Sequence, residues 1–321
     1  MKKRISILIL FIASAIWGIA FVAQKELAVI PVLTTMAFRN LLAASFLFLI
    51  IPLIDKISKS ERHFITKWKL DFTKHEVLGG VCCGIVLAAA SSVQQLGISG
   101  DTDAGKAAFI SALYVLFVPV FSLIIRKRTS RAAWCGVFIA LLGFYLLCIK
   151  DGFKIGLSDS TVLLGAALFA IHILLIAHFS PKCDGIRLCC MQFAVAFVLI
   201  APAALISDGA PEFSLIYTVL PELVFFGVFS GGLAYAMQAV GQKHVEPTIA
   251  SIILSLESVF GAIGGAIMLN ERMTPREYAG SLVILFAVVI SQLDFKQISG
   301  LIKRNKVQSR TDATESNGSE G

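Results

Sequence analysis

The chain has 321 residues, 57% of them hydrophobic and only 15% charged, with a mean hydropathy of +0.82 and a formal net charge of +7. Soluble domains sit near roughly 50% apolar and 25% charged, so this excess calls for a solvent other than water. The basic residues fall in short loops between apolar runs, which makes them membrane-flanking charge rather than a nucleic-acid surface.

A bilayer span needs about 20 mostly apolar residues. Ten windows qualify, at about 5–23, 33–54, 77–98, 105–125, 132–149, 161–179, 186–206, 215–238, 247–269 and 277–294. The first follows Lys2, Lys3 and Arg4 in the manner of a secretory signal. Its apolar run is longer than a signal core and more spans follow, so it reads as a retained first helix. The breaks carry turn chemistry, as at Asp151-Gly152 and at Ser207, Asp208 and Gly209. The last 26 residues, 296–321, read as a solvated, disordered tail.

Lys and Arg orient these spans. With a cytoplasmic N-terminus, the inner segments hold 21 basic residues and the outer loops 6, and Arg39 lies within a span. That imbalance predicts both termini in the cytoplasm and a multi-pass protein of the cell (inner) membrane. The seven cysteines lie in or beside apolar runs, Cys183 in a short loop, with no metal-ligand spacing, and read as packing.

Shifting the chain by 144 residues aligns 94–141 with 238–285 without a gap. Gln94 then pairs with Gln238, Ser111 with Ser255, Gly136 with Gly280, and the span boundaries coincide. Five spans per unit is odd, so the second unit enters the membrane in the opposite sense. The expected architecture is all-α: ten transmembrane helices as a 5+5 inverted repeat, 1–149 and 150–295, with a site between the halves near the midplane.

Trp17-Gly18 with Phe21, Phe38-Arg39, Pro119, Leu256-Glu257, and Asn270-Glu271-Arg272 with Gly280 stand in order along residues 5–294. In these the chain resembles the EamA-domain proteins of the drug/metabolite transporter superfamily. It departs from them at Ser258, where such proteins often have Pro, and at Asn270, where Gly is common. The resemblance implies a ten-helix inverted-repeat carrier that moves small metabolites, often outward.

Glu257 is the most informative residue. It lies about ten residues into its span, so at about 1.5 Å per residue it sits near the midplane, where a carboxylate must be protonated or paired. Gly261 and Gly265 follow on the same face, which marks that face as packed against protein. Two readings stay open: a proton or substrate-ammonium site, and a neutral glutamic acid bonded between helices. Arg39 cannot shed its charge, so it either binds a substrate anion or snorkels outward.

Small-residue stripes run along Gly80, Gly84, Ala88, Ser92 and Gln95, and along Gly227, Gly231, Ala234 and Gln238. Close helix packing is their expected use, with Gln95 and Gln238 as candidate substrate contacts. Trp17 and Tyr235 are candidate cavity residues, and His172, with an apolar helix face, reads as neutral and satisfied. No GxSxG or P-loop is present, His75-Glu76 lacks a second histidine at zinc-protease spacing, and no cofactor or metal is expected. The sequence thus predicts a secondary transporter using alternating access. The expected partners are a small-molecule solute and the lipid bilayer, with a homodimer left open and no nucleic acid. Its rivals are an intramembrane enzyme acting on lipid-like substrates, which would need paired acidic motifs, and a non-transporting scaffold or sensor.

Overall fold

Residues 2–57, 72–98, 110–127, 129–148, 156–268 and 273–292 are described by the structure, a computed structural model. The expected tail, most of the 55–76 loop and Asn270, Glu271 and Arg272 lie outside them.

Among the described residues the chain is helical, with no strand. In chain order come α1 (Lys2–Glu26), α2 (Val32–Ile57), α3 (Lys74–Ile98), α4 (Ile110–Ile124) and α5 (Arg131–Cys148). Then follow α6 (Leu157–Phe179), α7 (Gly185–Ser207), a short helix Phe213–Thr218, α8 (Leu220–Gly241), α9 (Pro247–Met268) and α10 (Pro275–Ser291). Seven of the described helices are long and apolar enough to cross a membrane, and α4 and α5 are shorter apolar helices. Helices suit this setting because each satisfies its own backbone groups where no water can. The protein is a multi-pass membrane protein.

Local chemistry sets the helix ends. Thr73 and Glu76 cap α3 reciprocally, with the Thr73 N–H donating to Glu76 at 2.7 Å and the Glu76 N–H to the Thr73 hydroxyl at 3.3 Å. Asp184 caps α7 by accepting from the Ile186 and Arg187 N–H groups at 2.9 and 3.1 Å. The other Glu76 oxygen accepts from the Asp184 N–H at 3.0 Å, which ties the start of α3 to the α6–α7 turn. After α7, Gly209 takes φ +83, a left-handed conformation that glycine adopts without strain.

Two membrane helices are broken midway. In α4 the turn falls at Leu113, and in α9 at Ser255–Leu256, so that Tyr114 and Glu257 each open a second helical segment. In α8 a π-helical stretch covers Phe225–Leu233. There α2 presses on the backbone: a Cβ on Gly227 would stand 2.6 Å from Leu42 Cβ, and one on Gly232 would stand 2.6 Å from Phe46 Cδ1. Both small-residue stripes do pack closely, and in the first a Cβ on Gly80 would meet Met191 Cβ at 2.3 Å.

Helix α2 packs along α7, α3 against α6 and α7, α5 along α10, and α1 against α8 and α9. One apolar cluster joins parts of α1, α4, α5, α6, α8, α9 and α10, and a second joins parts of α2, α3, α6, α7 and α8. Trp17 and Phe169 border both clusters. The seam between the clusters holds a cavity.

Candidate functional site

The seam opens into a cavity of about 80 Å³ of free volume, room for a few small polar groups. All six residues singled out from the sequence line it: Trp17 from α1, Arg39 from α2, Gln95 from α3, Tyr235 and Gln238 from α8, and Glu257 from α9. Residues more than 200 positions apart are thus gathered at one point.

Glu257 follows the break in α9, and α1 lies flush against the helix there. A Cβ on Gly18 would meet Phe260 Cβ at 2.3 Å and the Glu257 carbonyl oxygen at 2.8 Å. The carboxyl is half-buried, and its Oε1 accepts a hydrogen bond from the Tyr114 hydroxyl at 3.1 Å. The two helix breaks therefore meet through the first side chain after each. Among the described residues the second carboxyl oxygen has no protein partner, so it is left to the cavity.

Arg39 is 4% exposed and points inward instead of out along its helix. Its guanidinium carbon stands 4.5 Å from the Phe226 ring centre, 5.5 Å from Tyr235 and 5.9 Å from Phe193. Aromatic faces stabilise a cation partly, by about 0.5–2 kcal/mol each, and the Tyr235 hydroxyl is a hydrogen-bond partner, yet these neutral groups leave its charge uncompensated. Nε has no hydrogen-bond partner, and among the described residues no carboxylate lies within 4.0 Å. This is a buried cation with capacity for an anion.

Tyr235 is the hub of the aromatic wall. It packs edge-on with Trp17 at 4.8 Å, Phe193 at 5.3 Å and His172 at 5.7 Å. The Trp17 indole N–H donates to the Ser230 carbonyl in the π-helical stretch at 2.9 Å, which fixes the ring. Gln238 is 2% exposed with Oε1 unpartnered. Gln94, also in the lining, bonds Ser111 at 3.0 Å.

Sequence reasoning missed Tyr114 and Gln94 as site residues. A tyrosine in an apolar span reads as packing, and nothing local announces that it will meet Glu257. His172 is satisfied by Gln192 at 3.0 Å, as its apolar neighbours suggested, but it also borders the cavity.

A second cavity of about 320 Å³ shares Gln24, Met36, Gln95 and Phe226 with the first. Its remaining wall is Thr35 and the segment 27–32, so the central cavity continues toward the α1–α2 connection. In sum, the site offers a fixed cation, a carboxyl group, amides and aromatic faces. Those groups can hold a small solute that carries both charges, and the carboxyl can carry a proton.

The profile of the EamA-like transporter family matches the sequence over residues 4–149 and again over 156–293. An uncharacterized transporter of Archaeoglobus fulgidus is 32% identical over 215 residues, covering 67% of this chain and 68% of its own. A second from that organism is 25% identical over 293 residues, 90% of this chain and 98% of its own. The threonine/homoserine exporter RhtA of Escherichia coli (strain K12) is 24% identical over 239 residues, 74% of this chain and 78% of its own. A solved crystal structure superposes with a TM-score of 0.72 over 92% of this chain and 99% of that one, at 13% identity, a likeness of fold alone.

Proposed function

Because the chain belongs to the EamA-like transporter family, we propose that it is a secondary transporter exporting small amino-acid-like zwitterions across the cell membrane by alternating access. Ten spans form a 5+5 inverted repeat with both termini in the cytoplasm. The second cavity then opens on the outer face. Glu257 takes up and releases the coupling proton, and Arg39 receives the solute's carboxylate. The relatives described by function are transporters, so the chain acts as a carrier and not as an enzyme.

The observation carrying this reading is the pairing of a buried guanidinium that has no carboxylate partner among the described residues with a half-free carboxyl in one cavity lined from seven helices. A buried charge without a partner costs several kcal/mol, a cost that a carboxylate ligand offsets. The carboxyl and the aromatic faces of Trp17 and Tyr235 suit an ammonium group. The name of the RhtA relative supports the same solute class.

Two spacings support the repeat. The helix breaks are related by the shift of 144 to within two residues. Thr34 and Arg187, like Asp55 and Asp208, are 153 residues apart, and they pair crosswise at opposite ends of α2 and α7.

Purified protein in liposomes, loaded with unlabelled L-threonine or L-homoserine, tests the reading by counterflow of the labelled amino acid. Labelled solute should accumulate transiently, and an outward flux should respond to an imposed pH gradient. Absence of counterflow for every zwitterion tried, from protein that is folded by thermal melt, would overturn the solute class.

A further inference from the structure

Gln94 and Gln238, and likewise Ser111 and Ser255, are the same residues placed 144 apart. Each glutamine is near the end of a helix that lines the cavity, α3 or α8, and each serine is at or just before the break in the next helix. Were the two halves in one conformation, both pairs would make the same contact. They do not. The Gln94 amide donates to the Ser111 hydroxyl oxygen at 3.0 Å. Gly165 lets α6 pack close beside it, since a Cβ on Gly165 would stand 3.0 Å from Gln94 Cβ.

In the other half the contact is open. The Gln238 Oε1 has no partner, and Ser255 turns its hydroxyl onto the Ile252 carbonyl at 2.8 Å. A buried amide oxygen without a partner is destabilising, so the open pair is under pressure to close. Geometry within α8 and α9, not residue type, keeps it open.

An inverted repeat changes facing when its halves exchange conformations. We propose that Gln94–Ser111 and Gln238–Ser255 are reciprocal latches. The first is closed and the second open while the cavity continues to the α1–α2 end, and the reverse holds when the cavity faces the other way. Both glutamines line the cavity, so exchanging the latches changes the polar wall that each half offers the solute. This rests on the transporter reading, but it concerns the resting equilibrium and is measurable without solute.

The test places Thr35→Cys, in the wall of the second cavity, in an otherwise cysteine-free protein in liposomes. The rate of labelling by a membrane-impermeant maleimide then reports the population open to that side. Ser111→Ala should slow labelling by about two- to tenfold, the population shift that one hydrogen bond controls. Ser255→Ala alone should not slow it, and adding Ser255→Ala to Ser111→Ala should restore most of the rate. Ser111→Thr, which keeps the hydroxyl, should label like the parent. Slowing by Ser255→Ala, no effect of Ser111→Ala, or no recovery in the double variant would each overturn the proposal. Counterflow of L-threonine, run separately, isolates the transporter reading. Counterflow with unshifted labelling sinks only the latches, and shifted labelling without counterflow sinks only the solute.

Discussion

Glu257 has one oxygen occupied by Tyr114 and the other turned to the cavity, so its protonation can change without breaking the contact between the helix breaks. Glu257→Gln keeps the shape and a hydrogen-bond acceptor for Tyr114 but cannot titrate. Net transport driven by a pH gradient should fall at least about tenfold, a barrier increase of about 1.4 kcal/mol. Exchange of solute for solute, which needs no net proton step, should persist. A Glu257→Gln protein with undiminished pH-driven flux would leave Glu257 as an interhelical contact alone. Arg39→Lys tests the opposite charge. A lysine keeps the cation but loses the planar fork, so uptake at limiting solute should drop markedly, and full activity would retire the anion role. These two residues were legible in the sequence because an ionisable group inside an apolar run is costly and needs a reason. Tyr114 and Gln94 were not, because neither carries a charge and neither ends a small-residue stripe, the pattern that singled out Gln95 and Gln238.

Helix α1 touches the site through adjacent residues with different tasks. Trp17 reaches across to the Ser230 carbonyl, while Gly18 lets the α9 backbone close to contact distance. Gly18→Leu therefore drives a side chain into the Glu257 carbonyl and Phe260. It should cost at least about 1–3 kcal/mol of thermal stability or abolish transport, and a fully stable and active Gly18→Leu protein would contradict this packing. At the α8–α9 turn, Glu246 precedes α9 and accepts from the Ser130 N–H at 3.3 Å. Burial pushes its carboxyl above the ordinary glutamate range, against the pull of that N–H and of Lys3. A raised folded value means that the ionised form is the destabilised one. Its stabilising share is present at acid pH and is lost as pH rises through the raised value. Glu246→Gln should thus melt higher than the parent at neutral pH, with the gap closing below the ordinary glutamate range. A gap that is constant with pH would reject the assignment. Helix positions followed from hydropathy, whereas the breaks at Leu113 and Ser255–Leu256 did not. Neither contains the Pro or Gly that would mark it in the sequence.

At the scale of the whole molecule, α2 and α7 lie alongside each other and are fastened at both ends. At one end the Arg187 guanidinium forks onto the Asp55 carboxylate, with Nη1 to Oδ1 at 3.1 Å, and both side chains are at least nine-tenths buried. At the other, the Thr34 N–H and hydroxyl donate to one oxygen of Asp208 at 2.8 and 2.9 Å. The paired positions share one spacing, 153 residues, but the chemistry differs: one fastening is an ion pair and the other is a cap made from neutral donors. Removing one partner of a buried ion pair strands the other charge, at about 3–5 kcal/mol. Removing a partly exposed carboxylate cap from neutral donors costs only about 1–2 kcal/mol. Asp55→Ala should therefore lower the melting temperature in detergent well beyond Asp208→Ala. Adding Arg187→Leu to Asp55→Ala should recover much of the loss, because the stranded charge goes with it. If Asp208→Ala is the more damaging change, or if Arg187→Leu deepens the Asp55→Ala defect, the Asp55 end is not held by charge, and the two fastenings are equivalent in energy as well as in position.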